Sequence, residues 1–371
     1  MNQLIGVVNL VNEPDDLEEL TYSRCVASVP FGGRYRLIDF TLSNMVNSGI
    51  RDVAIFTHHK YRSLMDHLGS GKEWDLDRKR GGLFVLPAVH DEPNGLLKGD
   101  LFQFYCHRDY FLRAAGEYVL ISRSHMVCNI DFRPVLESHL ETGADVTVVY
   151  KTLDEEDLLH SKYRRIAIKP SGQVTLMEDY RGSLRSSQVS MEMYVMRKSL
   201  LLDMVETCLG QGHDHFVRDG IMKNIDKLVV YGYEFKGYVG IINSITGYYR
   251  NSMSLLQPHL WRELFFQDRL IYTKVKDEPP AKYFEGARVG GSLVANGCLI
   301  EGTVENSLVF RGVKIHKGAV VRNCILLQGC EIGQNAVVEN TILDKEVRIQ
   351  AGKRLSGDLG APYIAAKNKV I

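Results

Sequence analysis

The chain has 371 residues, 45% of them hydrophobic, with 45 lysines and arginines balanced by 45 aspartates and glutamates. That length favours two domains with a full apolar core, and the neutral balance offers no global field for nucleic acid or an anionic membrane. No apolar run approaches the roughly 20 residues that span a bilayer, and the N-terminus lacks a basic-then-apolar secretion signal. The seven cysteines, at 25, 106, 128, 208, 298, 324 and 330, include no CxxC pair. An odd, scattered set in a chain of this size reads as free thiols in a reducing cytoplasm. Cys298, Cys324 and Cys330 lie in apolar rows and read as small core residues.

In chain order, the first strand covers 4–8 and runs into the loop VNEPDDL at 11–17. A loop that receives nucleotide phosphates after a first strand is ordinarily rich in glycine and basic, because glycine lets the backbone approach and arginine neutralises charge. This one has no glycine and three acids. Unit charges about 4 Å apart interact with roughly 4 kcal/mol at an effective dielectric near 20, so the loop would repel a triphosphate. By itself it also reads as a solvated acidic turn. Further strands are expected at 53–57, 118–122, 145–151, 165–168, 191–196 and 228–233, with helices at 37–48, 102–115 and 199–209 between them. Gly49 is a stop signal for the first helix. The alternation predicts βαβ units on a largely parallel sheet, with ligands beyond the carboxyl ends of its strands.

The polar stretch KVKDEPPAK at 274–282 holds a Pro-Pro pair and reads as a stiff connector. The expected division is therefore 1–273, a linker at 274–285, and 286–371. In the last part glycines become frequent, and aliphatic residues recur every six positions at Val309, Ile315, Val321 and Leu327, with a second row at Val313, Ala319 and Ile325. After a one-residue slip, Cys330, Ala336 and Ile342 continue the row. A period of six is neither helix nor plain strand; it marks a parallel β-helix whose coils stack aliphatic residues inward. The open end of such a domain favours capping or self-association, so an oligomer is expected.

The run VPFGGRYRLIDFTLSN from Val29, followed by NSGI from Asn47, resembles the signature block of the glucose-1-phosphate adenylyltransferases (ADP-glucose pyrophosphorylases). Gly237-Tyr238, Tyr248-Tyr249 and Leu255-Leu256 resemble the end of that family's transferase domain, and NGCLIEGTVENS from Asn296 resembles its first coils. The resemblance covers essentially the whole chain. It implies an α/β fold, with a nucleotidyltransferase-type Rossmann-like domain joined to a C-terminal left-handed parallel β-helix, usually in a tetramer. The family's reaction joins ATP and glucose 1-phosphate into ADP-glucose and pyrophosphate with Mg2+, by positioning and charge neutralisation.

Alignment back from the PFGG block places the family's reactive residues on unsuited ones. The two arginines of its GGRGTRL loop fall on Glu13 and Asp16, and the lysine of its KPAV segment on Val26. The metal aspartates of its GDH and DVGT segments fall on Ser124 and Ile241, and the sugar-phosphate lysine of its EKP turn on Asp179. The RGTADA segment becomes KGDLFQ at 98–103, and a glycine of the sugar-site SMGIY segment becomes Glu192. Pro30, Gly32, Gly33, Asp39 and Asn44 of the scaffold remain. One lost electrostatic contact commonly costs about 3 kcal/mol, a hundredfold or more in rate, so six together make efficient catalysis implausible.

The resemblance is accordingly strongest to the non-catalytic sister subunit of heteromeric Gram-positive bacterial enzymes, which modulates a catalytic paralogue. It implies a cytoplasmic regulatory subunit in a heterotetramer with that paralogue, or a homo-oligomer, with no metal or cofactor of its own and Mg2+ at the partner; neither nucleic acid nor membrane is a partner. The alternative is a weak or divergent transferase in which His125, Lys98 and Asp131 rebuild a phosphate or metal site. Against this, His125 also reads as a hydrogen-bonded strand-end residue, Lys98 as a solvated cation, and Asp131 as a helix cap. A hexapeptide-repeat acyltransferase would need His316, the one histidine of the repeats. Arg24, Arg34, Arg36, His59, Lys60 and Arg62 form basic clusters where the family binds anionic effectors, although its effector lysine falls on Ser23. Arg34 and Arg36 also read as structural partners of Asp39.

Overall fold

The computed structural model describes residues 3–13, 15–89, 98–154, 157–158, 162–180, 182–358 and 360–371. Two compact units emerge. The first combines Met1–Pro14, Phe40–Val239 and Arg269–Tyr272; the second combines Asp15–Asp39, Gly240–Asp268 and Thr273–Ile371. The connector expected at 274–285 leads into the first coil at Lys282–Tyr283, while two earlier segments of chain belong to the coil-bearing unit.

The first unit is built on a nine-stranded sheet. Gly82–Leu86, Asp52–Phe56, Leu4–Asn9 and Tyr118–Ser122 lie side by side and parallel. Such strands are covered on both faces, which is why they are near-continuous apolar runs; Ile5, Val7, Val53, Ile55, Val119 and Leu120 are all buried. Gln188–Arg197 then runs antiparallel to both Tyr118–Ser122 and Val146–Thr152, and Val146–Thr152 is parallel to Val230–Glu234. The largely parallel sheet expected from the sequence thus forms, with two reversed strands, Gln188–Arg197 and Val174–Glu178. The reversal matters for the site: the start of Gln188–Arg197 meets the carboxyl ends of its neighbours, with Met193 opposite Ser122. The single helix expected at 102–115 is two, Asp100–Cys106 and Arg108–Arg113. His107 leaves helical geometry between them, and its Nε2 lies 2.9 Å from the Pro87 carbonyl. Asn44 is retained for a structural reason: its buried amide donates to the Cys128 carbonyl (3.0 Å) and accepts from the Ile130 N–H (3.2 Å).

In the second unit, three five-stranded parallel sheets form the faces of a left-handed β-helix. Ile315, Ile332 and Ile349 stack in one sheet and Val321 and Val338 in the next, both at a repeat of 17 residues. A coil of three six-residue faces would need 18, so one face is a residue short, and this produces the slip seen in the sequence rows. Cys298, Cys324 and Cys330 lie fully buried in this core. All seven cysteines are free thiols, and burial pushes these three up to about 11, about 11 and about 12.

The PFGGRYR block is a hairpin of Pro30–Phe31 against Tyr35–Arg36. Gly32 (φ 59°) and Gly33 (φ 83°) supply the left-handed turn, and a Cβ on Gly32 would come within 3.2 Å of the Phe265 ring. Tyr248, on helix Ile245–Ser254, donates to the Pro30 carbonyl at 2.8 Å. Among the described residues no helix is long and apolar enough to cross a membrane.

Candidate functional site

The site expected from the fold lies at the carboxyl edge of the first unit's sheet. Strand Leu4–Asn9 ends in a tight turn: the Asn9 carboxamide oxygen accepts from the Val11 N–H (3.1 Å), and Asn12 takes the left-handed conformation (φ 56°) that asparagine tolerates. The turn brings Glu13 inward, with a side chain only 4% exposed. One carboxylate oxygen accepts from the Ser124 backbone N–H (2.8 Å) and hydroxyl (2.7 Å) and lies 3.5 Å from His125 Nδ1. The acidic turn is therefore solvated only in part. Asp15 and Asp16 are exposed, whereas Glu13 is drawn in by three polar groups; Pro14 lies outside the described residues. Burial by itself would push the Glu13 carboxyl up, but His125 and Ser124 outweigh it and hold it below the usual carboxylate range.

That depression predicts acid sensitivity. A carboxyl whose folded pKa lies below its unfolded one stabilises fully above the unfolded value, near 4.5, and loses that contribution as pH falls through the folded value. Glu13→Gln is expected to flatten the fall in melting temperature between about pH 5 and pH 3. A scan of the two proteins across that window checks it; equal slopes contradict it.

Beside Glu13 a ladder of alternating charges crosses the edge. Asp100, at the start of helix Asp100–Cys106, accepts from Asn9 (2.8 Å) and the Phe216 N–H (2.7 Å). Arg123 lies 4.0 Å from Asp100 and 3.5 Å from Glu192, and donates to the Val11 carbonyl (3.3 Å). Glu192 accepts from Arg164 at 2.6 and 2.8 Å, Arg164 reaches Asp179 at 3.0 and 2.9 Å, and Arg218 reaches the other Asp179 oxygen at 3.0 Å. Burial opposes the charge on Arg164, but Glu192, Tyr194 and Asp179 overcome this and raise its pKa. For Asp179, too, burial acts upward, yet Arg164 and then Arg218 hold it below the usual range. Three guanidinium groups face three carboxylates, so an arriving polyphosphate meets cations that are already neutralised. Among the described residues no three histidine, cysteine, aspartate or glutamate side chains converge to hold a metal ion.

The second unit holds a different kind of place. A cavity of about 230 Å³ is lined by the Gly32-Gly33 turn, Arg34, Trp261, residues 293–296 and Arg311. Arg311 is only 9% exposed. Among the described residues no hydrogen bond or ion pair reaches its guanidinium. Burial and the nearby Arg34 push its pKa down, with Glu278 acting against them. Lys345 lies near Arg36, Arg24 and Lys276; burial first, then those cations, lower it to about 7.

Residues 16–253 match the nucleotidyl transferase family model, and residues 279–361 match the GlmU-like C-terminal hexapeptide model. The chain belongs to the nucleotidyl transferase family. It is 43% identical over 369 residues to the glycogen biosynthesis protein GlgD of Bacillus subtilis (strain 168), covering 100% of this chain and 97% of that one. It is 44% identical over 325 residues to the GlgD of Geobacillus stearothermophilus, covering 86% and 83%. It is also 37% identical over 310 residues to the glucose-1-phosphate adenylyltransferase of Thermomicrobium roseum, covering 81% and 71%.

In this member of the family the six aligned positions divide between the units. Glu13, Ser124 and Asp179 belong to the first, where Glu13 and Ser124 are bonded directly and Asp179 closes the ladder. Asp16, Val26 and Ile241 belong to the second; Val26 and Ile241 are buried apolar side chains, in a 3-10 turn and a short strand. The basic candidates divide as well. His59, Lys60 and Arg62 are exposed in the first unit, while Arg24, Arg34 and Arg36 lie in the second. Arg24 is committed to a buried bidentate pair with Asp344 (2.9 and 2.8 Å), and Asp39 accepts from the Arg36 backbone N–H (3.0 Å). Asp131 accepts from the Arg133 N–H (2.9 Å), one residue before the cap of helix Arg133–Thr142. Lys98 is exposed over the Phe102 ring, and His316 pairs with Glu331 at 2.8 Å. Sequence reasoning missed Arg164, Arg218 and Arg311. The signal for the first two was present: acids replacing a lysine and a glycine at Asp179 and Glu192 require counter-charges.

Proposed function

We propose that this chain is the regulatory, catalytically impaired subunit of an ADP-glucose pyrophosphorylase in glycogen biosynthesis. It works in the cytoplasm in a heterotetramer with a catalytic glucose-1-phosphate adenylyltransferase, which carries the Mg2+; without that partner the chain self-associates. The relatives named for glycogen biosynthesis and for adenylyl transfer support the pathway. The observation that carries the impaired state is the edge of the sheet, where Glu13 binds Ser124 and the ladder from Asp100 to Arg218 neutralises its own arginines. A nucleotidyl transferase needs cations free for phosphates and carboxylates free for a metal. Co-expression of the tagged chain with the adenylyltransferase of the same cell tests the partnership. Recovery of a mixed tetramer is expected; recovery of this chain alone contradicts it.

Regulation by an anion belongs to the same proposal. Arg311, which no hydrogen bond or ion pair reaches among the described residues, stands beside Arg34, and with the cations around Lys345 it favours a phosphate-bearing effector. Lys345 has a folded pKa of about 7 against 10.5, so the unfolded chain binds its proton more tightly, and stability falls as pH drops from the lysine range toward 7. A bound anion offsets that loss. Phosphate is expected to raise the melting temperature more near ~pH 6 than near ~pH 9, and Lys345→Met to remove the difference. Equal gains at both pH values contradict the site.

A further inference from the structure

Lys345 sits in the turn between strands Thr341–Leu343 and Arg348–Ile349 of the second unit. Its backbone is fixed: the N–H donates to Asp344 Oδ1 (2.7 Å) and the carbonyl accepts from the Asn368 N–H (3.0 Å). Its side chain is half-buried, and among the described residues no hydrogen bond or ion pair reaches Nζ, which is not sealed from solvent. Cations face it from three other segments of the unit: Arg36 on the hairpin strand Tyr35–Arg36, Arg24 between the 3-10 turns Glu18–Thr21 and Val26–Ser28, and Lys276 in the connector. Asp344 acts against them from the same turn, but it is committed to its two bonds with Arg24. Further out, Asp39 accepts from the Arg36 N–H and Glu278 acts on Lys276. The amine thus stands in a cluster that gathers cations and lacks an anion of its own.

We propose that Lys345 is a carbamylation site: its neutral amine takes up carbon dioxide reversibly, and the carbamate supplies the anion that this cluster lacks. The nitrogen lone pair attacks the carbon of CO2, an N–C bond forms, one C=O electron pair moves onto oxygen, and the nitrogen gives up a proton to water. The step consumes no other reactant. It exchanges a cation for an anion among Arg36, Arg24 and Lys276, whose guanidinium and ammonium groups are the donors that suit carboxylate oxygens. An imine or an acetamide at the same nitrogen would bring those cations no new negative charge, so the cluster favours CO2 over an aldehyde or an acyl donor. Selectivity against the other lysines follows from protonation. An ordinary lysine is about 0.1% neutral near ~pH 7.4, whereas burial, Arg36 and Arg24 bring Lys345 down to about 7 and leave it mostly neutral there.

The full chain is equilibrated with isotopically labelled CO2 in phosphate-free buffer, and the carbamate is trapped by ethylation with a trialkyloxonium salt and located by peptide mass mapping. Label is expected on Lys345. At fixed CO2 pressure it is expected to fall at least ~tenfold from ~pH 8 to ~pH 6, because a protonated amine cannot attack. The N-terminal amine, which also titrates near neutrality, is the internal reference. CO2 is expected to raise the melting temperature at ~pH 8, and Lys345→Arg, which keeps the cation and removes the nucleophile, is expected to abolish that rise. A folded chain whose Lys345 stays unlabelled while the N-terminal amine is labelled overturns the proposal. So does equal label at both pH values, or a rise in melting temperature that survives Lys345→Arg. The peptide map of the unsubstituted chain decides the matter even where the variant does not fold. Neither a phosphate effector nor a partner subunit enters the measurement, so its failure leaves the regulatory reading standing.

Discussion

Replacing Arg164 with methionine is expected to destabilise the first unit by about 3 kcal/mol, because it strands Glu192 and Asp179 together at a largely water-excluded edge. The two carboxylates lose contacts of 2.6–3.0 Å, and Tyr194 loses the hydrogen bond that its hydroxyl accepts at 3.2 Å. Arg123 remains 3.5 Å from Glu192 and Arg218 remains on Asp179, which keeps the loss toward the low end of the range for broken buried pairs. For a unit of this size the shift in melting temperature is roughly 6–12 °C. Arg164→Lys restores charge without the fork and is expected to recover only part of it. A methionine variant that melts with the unsubstituted protein would show that the ladder holds nothing together.

Asp344→Ala is expected to have an effect of the same size or larger, about 3–5 kcal/mol, in the second unit. The pair with Arg24 is nearly dry, with side chains 3% and 1% exposed and two bonds of 2.9 and 2.8 Å. Asp344 also accepts from the Lys345 N–H at 2.7 Å. Truncation leaves a buried guanidinium and a backbone donor unsatisfied, and removes a nearby charge that favours protonated Lys345. The double substitution Arg24→Met with Asp344→Leu is expected to cost much less than the sum of the two, since replacing both partners by apolar groups removes the penalty along with the pair. A double-mutant cycle in urea measures this; additive losses contradict it.

The elements legible in the sequence were those fixed by local pattern. Buried parallel strands such as Tyr118–Ser122 read directly from their apolar runs, and the six-residue rows gave the β-helix because its inward positions are set coil by coil. What sequence could not show depends on contacts between distant residues. The reversal of Gln188–Arg197 follows from its pairing on both sides, and the 17-residue coil is a property of stacking. At the site, Glu13, Ser124 and Asp179 were readable as single departures from the motifs that the chain resembles. Their compensation was not, since Arg164 lies 28 positions from Glu192 and Glu13 lies 111 from Ser124. Glu13 shows the limit best: an acid in a polar loop reads as solvated until the turn at Asn12 carries it inward.

The proposed regulatory role requires a nucleotidyl transferase scaffold whose site is closed by the chain's own charges. The most direct measurement is the steady-state rate of ADP-glucose formation from ATP and glucose 1-phosphate with Mg2+, for this chain alone, for the adenylyltransferase of the same cell alone, and for the two together. An impaired regulatory subunit is expected to run alone at least ~hundredfold slower than the adenylyltransferase, and the mixture is expected to run faster, or at lower substrate concentration, than the adenylyltransferase alone. Turnover by this chain alone at a rate comparable to the adenylyltransferase would mean that its site has been rebuilt rather than closed.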